Sequence, residues 1–198
     1  AVVALVGVLG ISGLSSSIES EERLYSKATK PMEHLMELSV AYQRARVHLR
    51  EMLMEPDTTN PEALAAQKKC IAQYDEMEKV GAVFVKALEN PDIKREFENF
   101  QGQNRKVRGM AEEIMALAAK GQKAEAMALL ASANVVATAI ATQEGLDKTA
   151  STTIKAAETM HEENAAASAS SRSMLIVFIV IAVGVALGAG LFLAKAIT

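Results

Sequence analysis

Three arginines crowd one short stretch of this chain, Tyr42-Gln43-Arg44-Ala45-Arg46-Val47-His48-Leu49-Arg50. On a helix, Arg46 and Arg50 are four residues apart and share a face, at a spacing where like charges repel. A guanidinium offers planar, bidentate donors and stays charged, so the pair suits recognition of a carboxylate. Solvation of the two heads, or ion pairs with Glu51 and Glu55, accounts for the same pattern without a ligand. Gln43 lies on the same stripe as Arg50. Counted from the far tip, Arg46 falls opposite about Ser132 on the last helix; counted from the apolar end, opposite about Ala141. Asn134, Thr138 and Thr142 bracket that level, and their short polar side chains are candidates to complete a small-anion pocket. Arg105 and Arg108 are near the same level, where an exposed face explains them equally well.

Other chemistries find little footing. His34, His48 and His161 form no H-x-x-x-H spacing, and Cys70 is the lone cysteine, so no disulfide within the chain and no multi-thiolate metal site is expected. No nucleophile–base pair, glycine-rich phosphate loop or carboxylate dyad is legible. We therefore expect no catalytic residues, no metal and no cofactor. The net charge of −3, with both signs interspersed, does not describe a nucleic-acid surface.

The elements that must position the arginines are helices. Alanine is abundant, tryptophan is absent, and Pro and Gly are sparse. A first helix should run to about Glu55, stopped by Pro56-Asp57-Thr58-Thr59-Asn60-Pro61. Its seam is Leu24, Ala28, Pro31, Leu35, Leu38, Tyr42, Ala45, Leu49 and Met52, alternating steps of four and three as in a supercoiled bundle. Pro31 within the seam should kink the helix or loosen one turn. A second stripe, Met36, Val40, Gln43, Val47, Arg50 and Met54, lies on another face and predicts a homodimer contact through this helix. Scattered surface hydrophobes are the alternative.

A second helix should start at Pro61, capped by Asn60, with Ile71, Tyr74, Met77, Gly81, Phe84 and Leu88 along its seam. A third carries Ile93, Phe97, Phe100, Asn104, Val107, Ala111, Ile114 and Ala118 and ends at Lys120-Gly121. A fourth should run unbroken from about Gln122 to Arg172, with Gly145 its one weak point. Short connections make neighbours antiparallel, so the predicted fold is an all-α, up-down-up-down four-helix bundle.

Met174 to Ala194 is a run of twenty-one residues with no charged or amide side chain, between Arg172 and Lys195. About twenty apolar residues at ~1.5 Å rise span a bilayer's hydrocarbon layer. Ala1 to Ile18 also lacks charge and reads as a first transmembrane helix, with the remnant of a secretory signal as the competing reading. The expected organisation is a transmembrane helix over 1–14, an extracytoplasmic bundle over 15–172, a second transmembrane helix over 173–194, and the start of a linker at 195–198.

This organisation resembles the sensor module of methyl-accepting chemotaxis proteins, the bacterial transmembrane chemoreceptors. Ala119-Lys120-Gly121-Gln122-Lys123-Ala124-Glu125-Ala126 is similar to that family's tight turn into its fourth helix, and Leu193-Ala194-Lys195-Ala196-Ile197-Thr198 to the opening of its HAMP linker. Ala45-Arg46-Val47-His48-Leu49-Arg50 resembles the arginine-bearing stretch of amino-acid-sensing members, with Ala41 standing where a third arginine would fall. The resemblance implies a two-pass inner-membrane receptor with its sensor in the periplasm or outside the cell. It also implies a homodimer, a small carboxylate or amino-acid ligand near the dimer contact, and a signal carried by sliding or tilting of helix 4. Cytoplasmic partners would be reached through a part that follows Thr198. The same module also precedes kinase and cyclase outputs, and a ligand-free helical scaffold is the structural alternative.

Overall fold

The computed structural model describes the backbone of residues 25–197, with Ile11, Ser15, Ile18, Glu19, Glu22 and Arg23 before them; side chains are described, with breaks, as far as Val180. The chain divides into two units, one of Lys27–Ala156 and one of Ala1–Ser26 with Ala157–Thr198. The described residues are helical, with no strand among them.

A π-helical turn, Tyr25–Thr29, leads into α1, Lys30–Met54. Pro31 sits at the start of α1, buried, so the loosened turn falls just ahead of it. Proline has no N–H to give the carbonyl four residues back, and the wider π turn accommodates that missing bond. From Pro31 to Met52, every residue of the expected first seam is buried; Leu24 and the side chain of Ala28 lie outside the described residues.

α2 covers Pro61–Ala87 and α3 covers Pro91–Ala119. Asn60 Oδ1 accepts from the Ala63 N–H at 2.7 Å, and Asn90 Oδ1 from Asp92 and Ile93, so asparagine-proline pairs open both helices. Each cap satisfies donors that the first turn would otherwise leave unpaired. All eight expected seam residues of α3 are buried. In α2, Ile71 and Leu88 are only partly buried, while Ala63, Ala66, Cys70 and Val80 join the core. Phe84 and Phe97 meet edge to face at 4.5 Å between centroids, and Phe97 and Phe100 at 5.5 Å. Such pairs contribute about 0.5–1.5 kcal/mol each beyond burial. α3 closes on Gly121 at φ 74°, with Gly121 N–H bonded to Ala118 O and Gln122 N–H to Leu117 O. The left-handed glycine makes that turn possible.

The fourth helix departs from its expected form. It is broken into α4, Lys123–Leu130, and α5, Ala133–Ile197, with a bend of 50° between them. The break falls at Ala131-Ser132, and Gly145 lies within continuous helix. Ser132 is the cause that local chemistry supplies. Its Oγ accepts from the Val135 N–H at 3.4 Å and its carbonyl from the Val136 N–H at 3.0 Å, the pattern of a residue starting a new helix. Gly145 instead allows close packing: a Cβ there would stand 3.3 Å from the Phe100 Cα.

Within the unit Lys27–Ala156, contacts run in opposite directions along neighbouring helices. Lys27 pairs with Glu89, so the start of α1 meets the end of α2. Gly81 faces Phe97 while Arg108 reaches back to Asp75, so α2 and α3 are antiparallel. Lys148 pairs with Glu96 at 3.0 Å, and Gly145 abuts Phe100, which makes α3 and α5 antiparallel. At the opposite end, Thr58 Oγ1 donates to Ala118 O and Lys123 Nζ to Glu55 O, joining the α1–α2 link to α3 and α4.

The backbone of 157–197 is helical throughout, including Ser168–Met174. Among the described residues no single helix is long and apolar enough to cross a membrane. The side chains of 181–194 lie outside the described residues, as does nearly all of the first apolar run over 1–14.

Candidate ligand site

Arg46 and Arg50 project from α1 toward a cleft of about 140 Å3, and Leu49 between them forms part of its floor. α2 contributes Tyr74, and α3 contributes Val107, Ala111 and Ile114. These are seam residues, so the inner wall of the cleft belongs to the bundle core, while Arg50, Val136 and Ile140 are exposed and form its open side. Leu130 closes it from the end of α4, and Val135, Val136, Ala139 and Ile140 from the first turns of α5. The cleft therefore lies against the bend at Ala131-Ser132, with wall residues on both sides of it.

The electrostatics are one-sided. Among the described residues neither Arg46 nor Arg50 has a carboxylate within ion-pairing distance. Glu51, one candidate partner, is taken by His48 at 2.7 Å, and Glu55 accepts from Asn60 Nδ2. Arg108 is the contrast: it holds Asp75, Glu78 and Glu112, each within 3.0 Å, and clasps α2 to α3. Arg105 is exposed. The Arg46 guanidinium lies 5.6 Å from the Tyr42 ring centroid, a cation–π contact that leaves its in-plane donors available. Burial pushes the Tyr74 phenol far above its ordinary range and that of Tyr42 upward, so both remain protonated hydroxyls.

A hydrogen-bonded relay leads from this site to α5. Arg46 Nη1 donates to Gln43 Oε1 at 3.3 Å, Gln43 Nε2 to Gln143 Oε1 at 2.8 Å, and Gln143 Nε2 to Asp147 Oδ1 at 2.8 Å. Tyr42 Oη donates to Ala139 O at 2.8 Å. These contacts put Tyr42 beside Ala139, and Arg46, a turn further along α1, shares the cleft with Val135, Val136, Ala139 and Ile140.

The three polar candidates fall in the same stretch of α5 but do not line the cleft. Asn134 is exposed. Thr138 Oγ1 donates to Asn134 O, and Thr142 Oγ1 to Thr138 O, each bonding back to its own helix. Thr142 is fully buried against Tyr42, as part of a run with Thr149 and Thr153 that back-bonds in the same way. The structure thus brings Arg46 and Arg50 to one cleft and keeps Gln43 in the relay. Asn134, Thr138 and Thr142 stand outside it. Sequence reasoning missed Tyr74 and the apolar wall; Tyr74, Val107, Ala111 and Ile114 were visible only as ordinary seam residues, and the α4 and α5 wall residues carried no signal.

Among the described residues no group of three His, Cys, Asp or Glu side chains is placed to hold a metal ion. The arrangement is a helical bundle with an apolar-walled cleft and, at its mouth, two arginines that have no carboxylate partner among the described residues, a form suited to binding and transmitting. A family model described as a four helix bundle sensory module for signal transduction matches residues 1–168. The chain belongs to that family. No curated protein and no solved structure gave a match.

Proposed function

We propose that this chain is the sensory portion of a transmembrane chemoreceptor that detects a small extracytoplasmic anion of carboxylate type. Arg46 and Arg50 bind the anion, and the response leaves by displacement of α5, including its apolar run Met174–Ala194. The observation that carries this reading is the pair of guanidiniums without a carboxylate partner at the mouth of a cleft walled by α5. A group that has bonded only to a neutral amide keeps strong donors for an incoming charge. Binding there acts on α5 twice, through the cleft wall and through the Gln43–Gln143–Asp147 relay. A ligand shifts a two-state equilibrium only by its differential affinity for the two states, and contacts that span α1 and α5 supply such a difference.

The remaining parts follow the same proposal. Two apolar runs anchor the sensor in the inner membrane, with the bundle on the outer side. The exposed Met36, Val40, Val47 and Met54 stripe pairs with a second copy of α1. The test is a thermal-shift screen of the chain in detergent against carboxylates and amino acids. Stabilisation by one ligand should be lost in Arg46→Ala and in Arg50→Ala, since a hydrogen bond to a charged group contributes about 1.5–3 kcal/mol. Full stabilisation of both variants by the same ligand would remove the proposed site.

A further inference from the structure

The composition of the cleft restricts what an anion bound there can carry. Its walls are aliphatic apart from Tyr74 and the two arginines, and no acidic side chain lines it. We infer that the cleft takes, within a single protomer, a compact monocarboxylate with an apolar body and no ammonium group. This rests on the reading of Arg46 and Arg50 as the anion site, and it specifies the rest of the ligand.

Three arguments converge. The first is size: about 140 Å3 is close to the roughly 150 Å3 of an apolar protein cavity that admits benzene. A short branched chain or a single ring fits; a sugar acid or a peptide does not. The second is desolvation. Leu49, Ala111, Ile114, Leu130 and Val135 offer no hydrogen-bonding side chain, so a second carboxylate or a hydroxyl pushed among them would lose its water unreplaced. The third is charge. An α-ammonium group, one carbon from the carboxylate, would enter beside two guanidiniums with no wall carboxylate to receive it, so like charges would meet at the mouth. The carboxylate therefore stays at the mouth with Arg46 and Arg50, and the apolar body points inward.

Seated this way, the body touches Leu130 on α4 and Val135 on α5, across the bend at Ala131-Ser132. Filling the cleft then favours one setting of that bend over others.

Isothermal titration of the 198-residue chain in detergent with three probes tests this. The probes are 4-methylpentanoate, L-leucine, which adds only the ammonium group, and succinate, which replaces the apolar body by a second carboxylate. We expect 4-methylpentanoate to bind, and L-leucine and succinate to bind more weakly by roughly tenfold or more. Ala139→Leu, which fills the cleft and leaves both arginines, should abolish binding of 4-methylpentanoate. If that variant fails to melt cooperatively, Ala111→Val serves instead. Arg46→Ala should weaken the same probe by roughly tenfold or more. Tight binding of succinate or L-leucine that needs Arg46 and ignores Ala139→Leu would overturn the cleft as the seat of the ligand, while leaving an anion sensor standing. Binding of 4-methylpentanoate that survives loss of both arginines, or silence with all three probes, would overturn both readings together.

Discussion

Arg46, Arg50 and Arg108 are the same residue type in two states of partnership, and the difference decides which of them can receive a ligand. Arg108 pairs with three carboxylates and acts as a clasp between helices. Arg46 and Arg50 have no such partner and face a cavity. Buried single residues make sharper predictions. Burial pushes the Cys70 thiol up to about 11, so at neutral pH it is a protonated, enclosed thiol. Iodoacetamide should modify it slowly in the native protein and rapidly in urea; rapid native labelling would contradict the packing of α2. Glu96 is nearly buried, and the hydrogen bond from Lys148, with the charges of Lys148 and Arg95, holds its carboxyl below the usual range. A lowered folded-state value means that the stabilisation is fully present above the ordinary glutamate value, about 4.3, and is lost as pH falls through the lower one. The difference in urea midpoint between wild type and Glu96→Gln should therefore be constant near neutrality and vanish in acid. A difference that grows on acidification would show the sign to be wrong.

At the scale of the element, the departure from expectation lies in one dipeptide. A 3.6-residue periodicity in alanine-rich sequence reads as continuous helix, because alanine is compatible with every face and marks no phase. Ser132 interrupts it by accepting from the N–H of Val135 and starting α5 afresh. Ser132→Ala should lower stability by about 0.5–2 kcal/mol, the ordinary cost of an N-cap serine, measured by urea denaturation. Ser132→Asp should retain it. No loss in the alanine variant would assign the bend to packing of α4 and α5 instead. The polar candidates on α5 rest on height and side-chain chemistry, not on facing. Height depends only on rise per residue, whereas facing depends on accumulated rotation, which the bend resets. Asn134, Thr138 and Thr142 consequently stand outside the cleft, which Val135, Val136, Ala139 and Ile140 line.

At the scale of the whole molecule, α1 carries two apolar faces and the bundle uses one. Met36 and Met54 are 65% and 81% exposed, and Val40 and Val47 are each 47% exposed, so the apolar members of the second stripe are uncovered among the described residues, while Gln43 reaches Gln143 and Arg50 lines the cleft. Because Cys70 is enclosed, a cysteine introduced at Val40 or Val47 would be the reactive thiol of the chain. Oxidation of Val40→Cys or Val47→Cys in membranes should give a disulfide-linked dimer through α1. A strictly monomeric product at both positions would remove the dimer. The proposed dimer stripe and the cleft share Arg50, which lies on the stripe by spacing and lines the cleft.

The sequence by itself determined the first three helices, their order, their capped ends and most of their inward faces; on the fourth it showed neither the break nor the buried threonines Thr142, Thr149 and Thr153. Seam spacing, asparagine-proline openings and the glycine after Lys120 act between near neighbours in the chain, so they can be read without knowing what lies across the core. Arg46 and Arg50 were legible for the same reason, as charges four residues apart on one turn. Only the tertiary structure decided what those charges face. The cleft needs wall residues from α1 to α5 together, and each of them, taken alone, is an ordinary leucine, valine or alanine of a bundle seam. A cavity is a failure of side chains on separate helices to meet, and that depends on bends and rotations accumulated over the whole chain.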